Sequence, residues 1–411
     1  MSTVETPDWQ ADIRVAAASQ LAELDPPSDE LEVWRYSRIN DVELDRFSRP
    51  PSAVSDADPQ GLADAAATVV IRDGFITDVT PSAIDGLTVS SAADHPDGQS
   101  LYAQLRGSAD DAVAAQHDAG LEAVIIVDVA RGTHIAHPVV IDNYSDVEDG
   151  LVAPHTIIRC ANGGSVNVVE RRRSGDTTQL VLPTVEIHAA ADARIGYLIV
   201  QELGRNTTSL EHLIGEVGQQ AHVTIAVAAF GGSYARTRAD LRLVGRGSSG
   251  DLLSAFFGDS DQMLDFRTFQ DHLAPDTTSN LLFKGAVTGA AQSVYSGLIR
   301  VDETAPGTNA FQTNRNLKLS EDAWAYSVPN LEIEQNQVSC SHASTVGEID
   351  EAQQFYLESR GVPTDVAEQL LVSGFFAEVI GQLPIPELHA ELQQRIDAAL
   401  AADRELQGKT S

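Results

Sequence analysis

A chain of 411 residues, 43% of them hydrophobic, can bury a sizeable core, either as two or three domains or as one long repetitive domain with appendages. Against 60 Asp and Glu stand only 27 Lys and Arg, of which just Lys284, Lys318 and Lys409 are lysines, so the net charge is −33. That field repels phosphate and argues against nucleic acid or anionic lipid as partners, and two cysteines make no disulfide framework.

The opening M-S-T-V-E-T-P-D-W-Q has neither a basic stretch nor an apolar one, so no secretory signal is expected. Residues 1–65 read as a helical region, with an amphipathic helix from Ala11 to Leu24 ended by Pro26-Pro27. Trp34-Arg35-Tyr36-Ser37 follows, and the Pro50-Pro51 pair opens a linker. Residues 66–120 form a connecting mixed α/β segment, with a short helix centred on Ala109 to Ala119.

From Leu121 to Val346 the character changes. Short apolar runs rich in Val, Ile, Leu and Thr recur about every 13–16 residues in the second half, with no helical pattern between them. Alternating βαβ units are thereby excluded, leaving a sandwich, a barrel or a stacked solenoid. Regular spacing without Asn-Gly hairpin turns favours coils stacked edge to edge.

Residues 347–411 turn helical. One helix runs from Asp350 to Arg360, closed by Gly361 and Pro363. Thr364 is expected to cap the next, whose stripe is Val366, Leu370, Phe375, Val379 and Leu383. Pro386 opens a third, with Leu388, Leu392, Ile396 and Leu400 on one face. Such a tail serves as a docking surface, as a cap over the last open coil, or as both.

Several motifs fail on context. Gly245-Arg246-Gly247-Ser248-Ser249-Gly250 spells a dinucleotide fingerprint, but a strand rather than a helix follows, so a turn between coils is expected. Gly408-Lys409-Thr410 lacks the rest of a phosphate loop, so no ATPase machinery is read in this chain. Arg171-Arg172-Arg173 reads as a solvated turn. His155 and Cys160 lack the spacing of a zinc site, and His188, His212, His222 and His272 read as core or surface histidines.

Cys340-Ser341-His342 is different. On a strand, residues two apart share a face, so thiol and imidazole emerge side by side. Both are ligands that iron and iron–sulfur clusters accept, yet two groups leave a four-ligand site incomplete and imply a partner chain. The bland alternative is a buried cysteine beside a hydrogen-bonded histidine.

The stretch N-R-N-L-K-L-S (314–320), P-N-L-E-I-E (329–334) and C-S-H-A-S-T-V-G-E-I-D-E (340–351) resembles the carboxy-terminal signature of the SufB/SufD family of iron–sulfur cluster assembly proteins. The likeness is to SufD more than SufB, because SufB carries a cysteine in the strand matching Phe311 to Ser320 and this chain has none there. W-R-Y-S near the start is similar to SufD as well. Two departures stand out: Ala343-Ser344 replace the usual glycine after the histidine, and Asn336-Gln337 replace an acidic pair.

The resemblance implies a mainly β fold, a right-handed parallel β-helix core flanked by N-terminal and C-terminal helical regions. It implies a scaffold subunit rather than an enzyme, pairing with a SufB-like subunit through the last coils and recruiting a SufC-like ATPase through the C-terminal helices. A transient iron–sulfur cluster would be shared with SufB, with His342 as the functional residue and metal ligand and Cys340 as a candidate beside it. Glu351, Phe355, Arg360, Leu370 and Phe375 are the candidates for the ATPase interface, and no permanently bound cofactor is expected.

Two rivals remain: a β-helix hydrolase or lyase of polysaccharides, and a homodimeric structural protein without chemistry. With no apolar run near the roughly 18 residues of a membrane span, the chain reads as soluble and cytoplasmic. Carboxylates spread along the chain rather than in blocks suit adaptation to high salt better than an acidic binding face.

Overall fold

The computed structural model describes residues 7–80, 83–406 and 408. Within them, the strand-rich middle winds into a parallel β-solenoid of about eight turns with helices towards both termini. Among the described residues, no helix is long and apolar enough to cross a membrane.

The chain enters through α1 (Asp8–Leu21), offset from the expected Ala11 to Leu24, and three short 3-10 turns. Strands β1 (Ala67–Arg72), β2 (Phe75–Thr80) and β3 (Leu87–Ser91) come next, then α2 (Gly98–Leu101) and α3 (Ala112–Ala119). Asp111 caps α3 by accepting from the Ala114 backbone N–H.

The coils proper alternate between two sheets. One receives β5 (Val139–Ser145), β7 (Ser165–Ser174), β10 (Arg194–Glu202), β12 (His222–Ala229), β14 (Ser249–Gly258), β16 (Thr278–Val287), β18 (Asn309–Lys318) and β20 (Ser339–Gly347). The other receives β4 (Leu121–Val129), β6 (Gly150–Cys160), β8 (Gln179–Val181), β9 (Thr184–Ala189) and β11 (Thr207–Val217). It continues with β13 (Tyr234–Leu243), β15 (Met263–His272), β17 (Gln292–Val301) and β19 (Trp324–Ile333).

Register shows the repeat directly: Ser249 lies beside Thr278, Thr278 beside Asn309, and Asn309 beside Ser339. Each turn of about 30 residues therefore holds two strands, and the sequence period is half a turn. Gly245–Gly250 is the expected inter-coil turn, with Gly247 in the left-handed region at φ +69°.

Residues 66–120 are not a separate connector but join the same sheets. β1 pairs parallel with β5, while β2 lies antiparallel on β1 and β3 antiparallel on β4, so the first coil is closed by strands that reverse direction.

Alternation puts one face of every strand inside the coil. Val166, Val168, Ile195, Tyr197, Ile199, Val223 and Ile225 form part of that buried interior, each fully buried aliphatic contributing roughly 1.5–3 kcal/mol. Further along, Phe256, Phe266, Phe283 and Tyr295 stack at centroid spacings of 4.7, 5.5 and 5.5 Å. Gly285 makes room for them, because a Cβ there would stand 2.0 Å from the Phe256 ring.

The tail comprises α4 (Glu351–Ser359), α5 (Thr364–Ile380) and α6 (His389–Leu406), the last entered through a 3-10 turn at Pro386–Leu388. Asp350 caps α4. The expected cap at Thr364 is displaced: extended Pro363 holds the N-cap position and Thr364 is already helical.

The tail does not cap the last coil. Val372, Phe376, Val379, Ile380, Leu383, Leu388, Leu392 and Ile396 pack on Val140, Val169, Leu198, Ala226, Leu253 and Ala286, the outer face of the β5–β16 sheet. The buried stripe of α5 is thus Ala367, Val372, Phe376 and Val379, and the predicted Val366 and Leu370 face outward. Arg171 clamps Glu391 through two bonds of 2.6 and 2.8 Å, and Arg395 reaches Glu202 at 2.9 Å. The sheet flank carries the matching apolar stripe and ion pairs, and these hold the helices there.

Candidate functional site

The solenoid ends on β19 and β20, the terminal strands of the two sheets. Neither has a strand on its far side among the described residues, so both present a row of unpaired backbone groups. Burial collapses there: β17 is largely buried, whereas β19 and β20 are exposed or half-exposed throughout. Apolar side chains stay in the open as well, with Trp324, Leu331, Ile333 and Val346 36–43% exposed. Monomers seldom leave a long apolar edge bare.

Cys340 and His342 both lie on β20. Cys340 is the register partner of buried Ala310 and packs with Ile299, Val301 and Ala305 inside the coil. His342 is two residues on, hence on the same inward face, and is the register partner of buried Gln312. With no further coil above it the ring is exposed, at the mouth of the solenoid interior.

Their chemistry differs. Burial pushes the Cys340 thiol above its ordinary range, partly offset by a backbone hydrogen bond from Ala310. In the absence of a metal ion this favours the protonated thiol. Of the two side chains, the His342 ring is exposed and Cys340 packs against the coil interior.

A second exposed surface lies on the tail. Nothing in α4 is buried, Phe355 and Tyr356 are 70% and 57% exposed, and Leu370 on α5 is 53% exposed. Glu351 and Arg360 are exposed beside them. Phe375 is different: it packs against the sheet flank under Lys284, whose ammonium lies 4.6 Å from its ring centroid and donates to its backbone carbonyl at 2.7 Å. That residue belongs to the intramolecular joint rather than to the free surface.

The remaining sequence candidates are dispersed. His155 and Cys160 point to opposite faces of β6: Cys160 sits in the coil interior with its thiol pushed up by burial to about 11, and His155 lies outside under α3. His212 and His222 pair with Asp240 and Asp251, His188 is half-buried near Glu186, and His272 is fully buried. No group of three or more His, Cys, Asp or Glu able to hold a metal occurs among the described residues. Lys409 and Thr410 lie outside the described residues, as do residues 1–6 of the opening segment.

Arg171-Arg172-Arg173 is not a solvated turn but part of β7. Arg171 and Arg172 are 4% and 3% exposed. Arg172 points into the coil, bonded to Glu170 at 2.7 Å and to Glu211, while Arg173 meets Asp142 at 2.9 Å. Besides Glu170 on the same strand, the neutralising carboxylates come from neighbouring coils (Asp142, Glu211) and from α6 (Glu391), far off in sequence.

Sequence reasoning also missed two buried polar chains. Under α3, His117 Nε2 meets His155 Nδ1 at 3.1 Å and His155 Nε2 meets Glu186 at 3.0 Å. Near the open end, Gln270, Gln312, Asn314 and Asn316 line the coil interior. The only local signal for the latter is the alternation of polar residues at 312, 314 and 316 on what proves to be the inward face.

Comparison with known proteins matches residues 143–375 to the family model for the SUF system FeS cluster assembly, SufBD core domain. An iron–sulfur cluster assembly SufBD family protein of Mycobacterium tuberculosis is 35% identical over 311 residues, covering 73% of this chain and 76% of that protein. The iron–sulfur cluster assembly protein SufD of Bacillus subtilis is 26% identical, covering 75% and 72%. That of Escherichia coli is 25% identical, covering 93% and 91%.

Proposed function

Because the chain belongs to the SufB/SufD family of iron–sulfur cluster assembly proteins, with SufD among its relatives, we propose that it is the SufD-like subunit of a three-component scaffold. The open edge of β19 and β20 receives a SufB-like subunit, and the exposed surface of α4 and α5 receives a SufC-like ATPase. A transient iron–sulfur cluster forms at the seam with the SufB-like subunit.

One observation carries this reading: His342 stands exposed at the mouth of the coil, on an edge strand with no strand on its far side among the described residues. A neutral imidazole there offers iron a lone pair, and a partner strand laid on β20 brings the remaining ligands alongside it. Apolar residues flanking the edge are covered in the same event. The tail fits the second role, because its inner face is bolted to the sheet flank while Phe355, Tyr356 and Leu370 face away. A pull by the ATPase on these helices is thus transmitted to the solenoid. In isolation the same edge is open to a second copy of this chain.

Replacing the ring tests the assignment. His342→Ala, co-expressed anaerobically with SufB-like and SufC-like partners, is expected to leave the complex assembled and to abolish cluster absorption in the visible range. Cluster yield equal to that of the unaltered protein would overturn the reading.

A further inference from the structure

The interior beneath His342 contains an ordered chain of hydrogen bonds whose direction can be worked out from its far end. Thr308 Oγ1 donates to the Ala305 carbonyl at 2.9 Å, so toward Thr277 it can only accept. Thr277 Oγ1 faces that acceptor at 3.1 Å and the Ala274 carbonyl at 3.2 Å, which take its single proton. It must therefore accept from His272 Nδ1–H, 2.8 Å away.

His272 is fully buried and held neutral, burial lowering its imidazole from 6.5 to about 4. Its Nε2 is consequently the acceptor of Ser279 O–H at 2.9 Å. Ser279 in turn accepts from Gln270 Nε2 at 2.7 Å, and Gln270 Oε1 accepts from Gln312 Nε2 at 3.0 Å. The polarity runs unbroken through six side chains and leaves one atom over. Gln312 Oε1 is buried, in a residue 1% exposed, and has no partner among the described residues.

A buried carbonyl oxygen without a donor has lost its water and gained nothing in exchange. The next inward-facing side chain is His342, the register partner of Gln312 on the adjacent strand. We propose that Gln312 is a positioning residue for His342, its Oε1 accepting one ring N–H so that the other ring nitrogen turns its lone pair to the solenoid mouth. Fixing the tautomer through an outer hydrogen bond is how protein sites orient and strengthen an imidazole ligand. The amide cannot turn round to offer its NH₂ instead, because the chain behind it is anchored on backbone carbonyls. The inference rests on His342 being the iron ligand of the proposed function.

Histidine-selective ¹⁵N NMR of the full chain reads the tautomer directly. The unaltered protein is expected to show His342 as a single tautomer, and Gln312→Met to show the averaged ring shifts of an exchanging imidazole. Gln312→Glu, kept protonated by burial, can donate its O–H to Gln270 Oε1 while its carbonyl oxygen remains an acceptor, so it is expected to restore the single tautomer, which guards against failure of the Met variant to fold. Fe²⁺ alone, titrated anaerobically into the complex with the SufB-like partner, should bind about 10- to 100-fold more weakly to the Met variant. Unchanged His342 ring shifts in both variants would overturn the inference while leaving the proposed function intact. Altered shifts together with a normal cluster yield in His342→Ala would instead defeat the function and leave Gln312 only a structural neighbour.

Discussion

The two ends of this solenoid solve the same problem in opposite ways. A stack of parallel coils leaves an unpaired strand edge and an uncovered interior at each end. At the first end the chain covers the interior itself: antiparallel β2 and β3 become the edge strands beside β1 and β4, and Val69, Ile71 and Val89 stay at most 7% exposed. At the last end β19 and β20 stay bare, and the helices that might have covered them are bolted to the flank. The contrast teaches that an open end is a choice made elsewhere in the molecule, here by an apolar stripe and two Arg–Glu clamps that hold the tail away.

The interiors differ too. In the early coils charge is buried but saturated: Arg172 serves Glu170 and Glu211, and Tyr197 donates to Glu170 at 2.6 Å. Arg172 holds the Glu170 carboxyl below its ordinary range against the burial that would raise it, whereas burial wins at Glu211 and pushes it up. Near the open end the interior is neutral and unsaturated, with Gln312, Asn314 and Asn316 all keeping unpartnered atoms.

The largest effect expected from breaking this contrast is at the early coils. Arg172→Ala strands two buried carboxylates, and a loss of about 3–5 kcal/mol in urea-unfolding stability is expected. An unchanged midpoint would show that the interior charge is not saturated by this residue.

Acid should act on both ends, to a smaller extent. Folding holds His272 neutral near the open end and His117 neutral near the closed one, burial lowering them from 6.5 to about 4 and about 3. A folded-state value below the unfolded one means that their contribution is complete above about pH 6.5 and is lost as pH falls toward those values. Thermal melts between pH 7 and 4 should therefore fall in the unaltered chain and fall less steeply in His272→Asn. An identical slope in that variant would remove the open-end histidine from the account.

The smallest expected change in stability comes from the open edge itself. Ile333→Lys, at a side chain 43% exposed, should shift unfolding by under about 0.5 kcal/mol. On co-expression it should nonetheless prevent co-elution with the SufB-like subunit in size exclusion. Val89→Lys, 7% exposed at the closed end, should instead destabilise the chain by burying an unpaired charge. Equal outcomes for the two would erase the distinction between the ends.

Much was legible before any coordinates. Strand composition and spacing announced a stacked β architecture between two helical regions, and C-S-H with its flanks pointed to the family and to His342. Period-2 alternation also placed Cys340 and His342 on one face. Where the reading went astray, the cause was non-local: Arg171–Arg173 passed for a turn because Glu391, Glu211 and Asp142 lie far off in the chain. Phe375 passed for free surface because nothing nearby in sequence announces Lys284.

Sequence by itself determined the repeat, the inward and outward faces of each strand and the signature around His342, since these depend on residues a few positions apart. Tertiary structure alone decided which end stays open, where the tail helices lie and which carboxylate neutralises which arginine. Those contacts join side chains a full coil or more apart, and only the stacking of one turn on the next brings them within bonding distance.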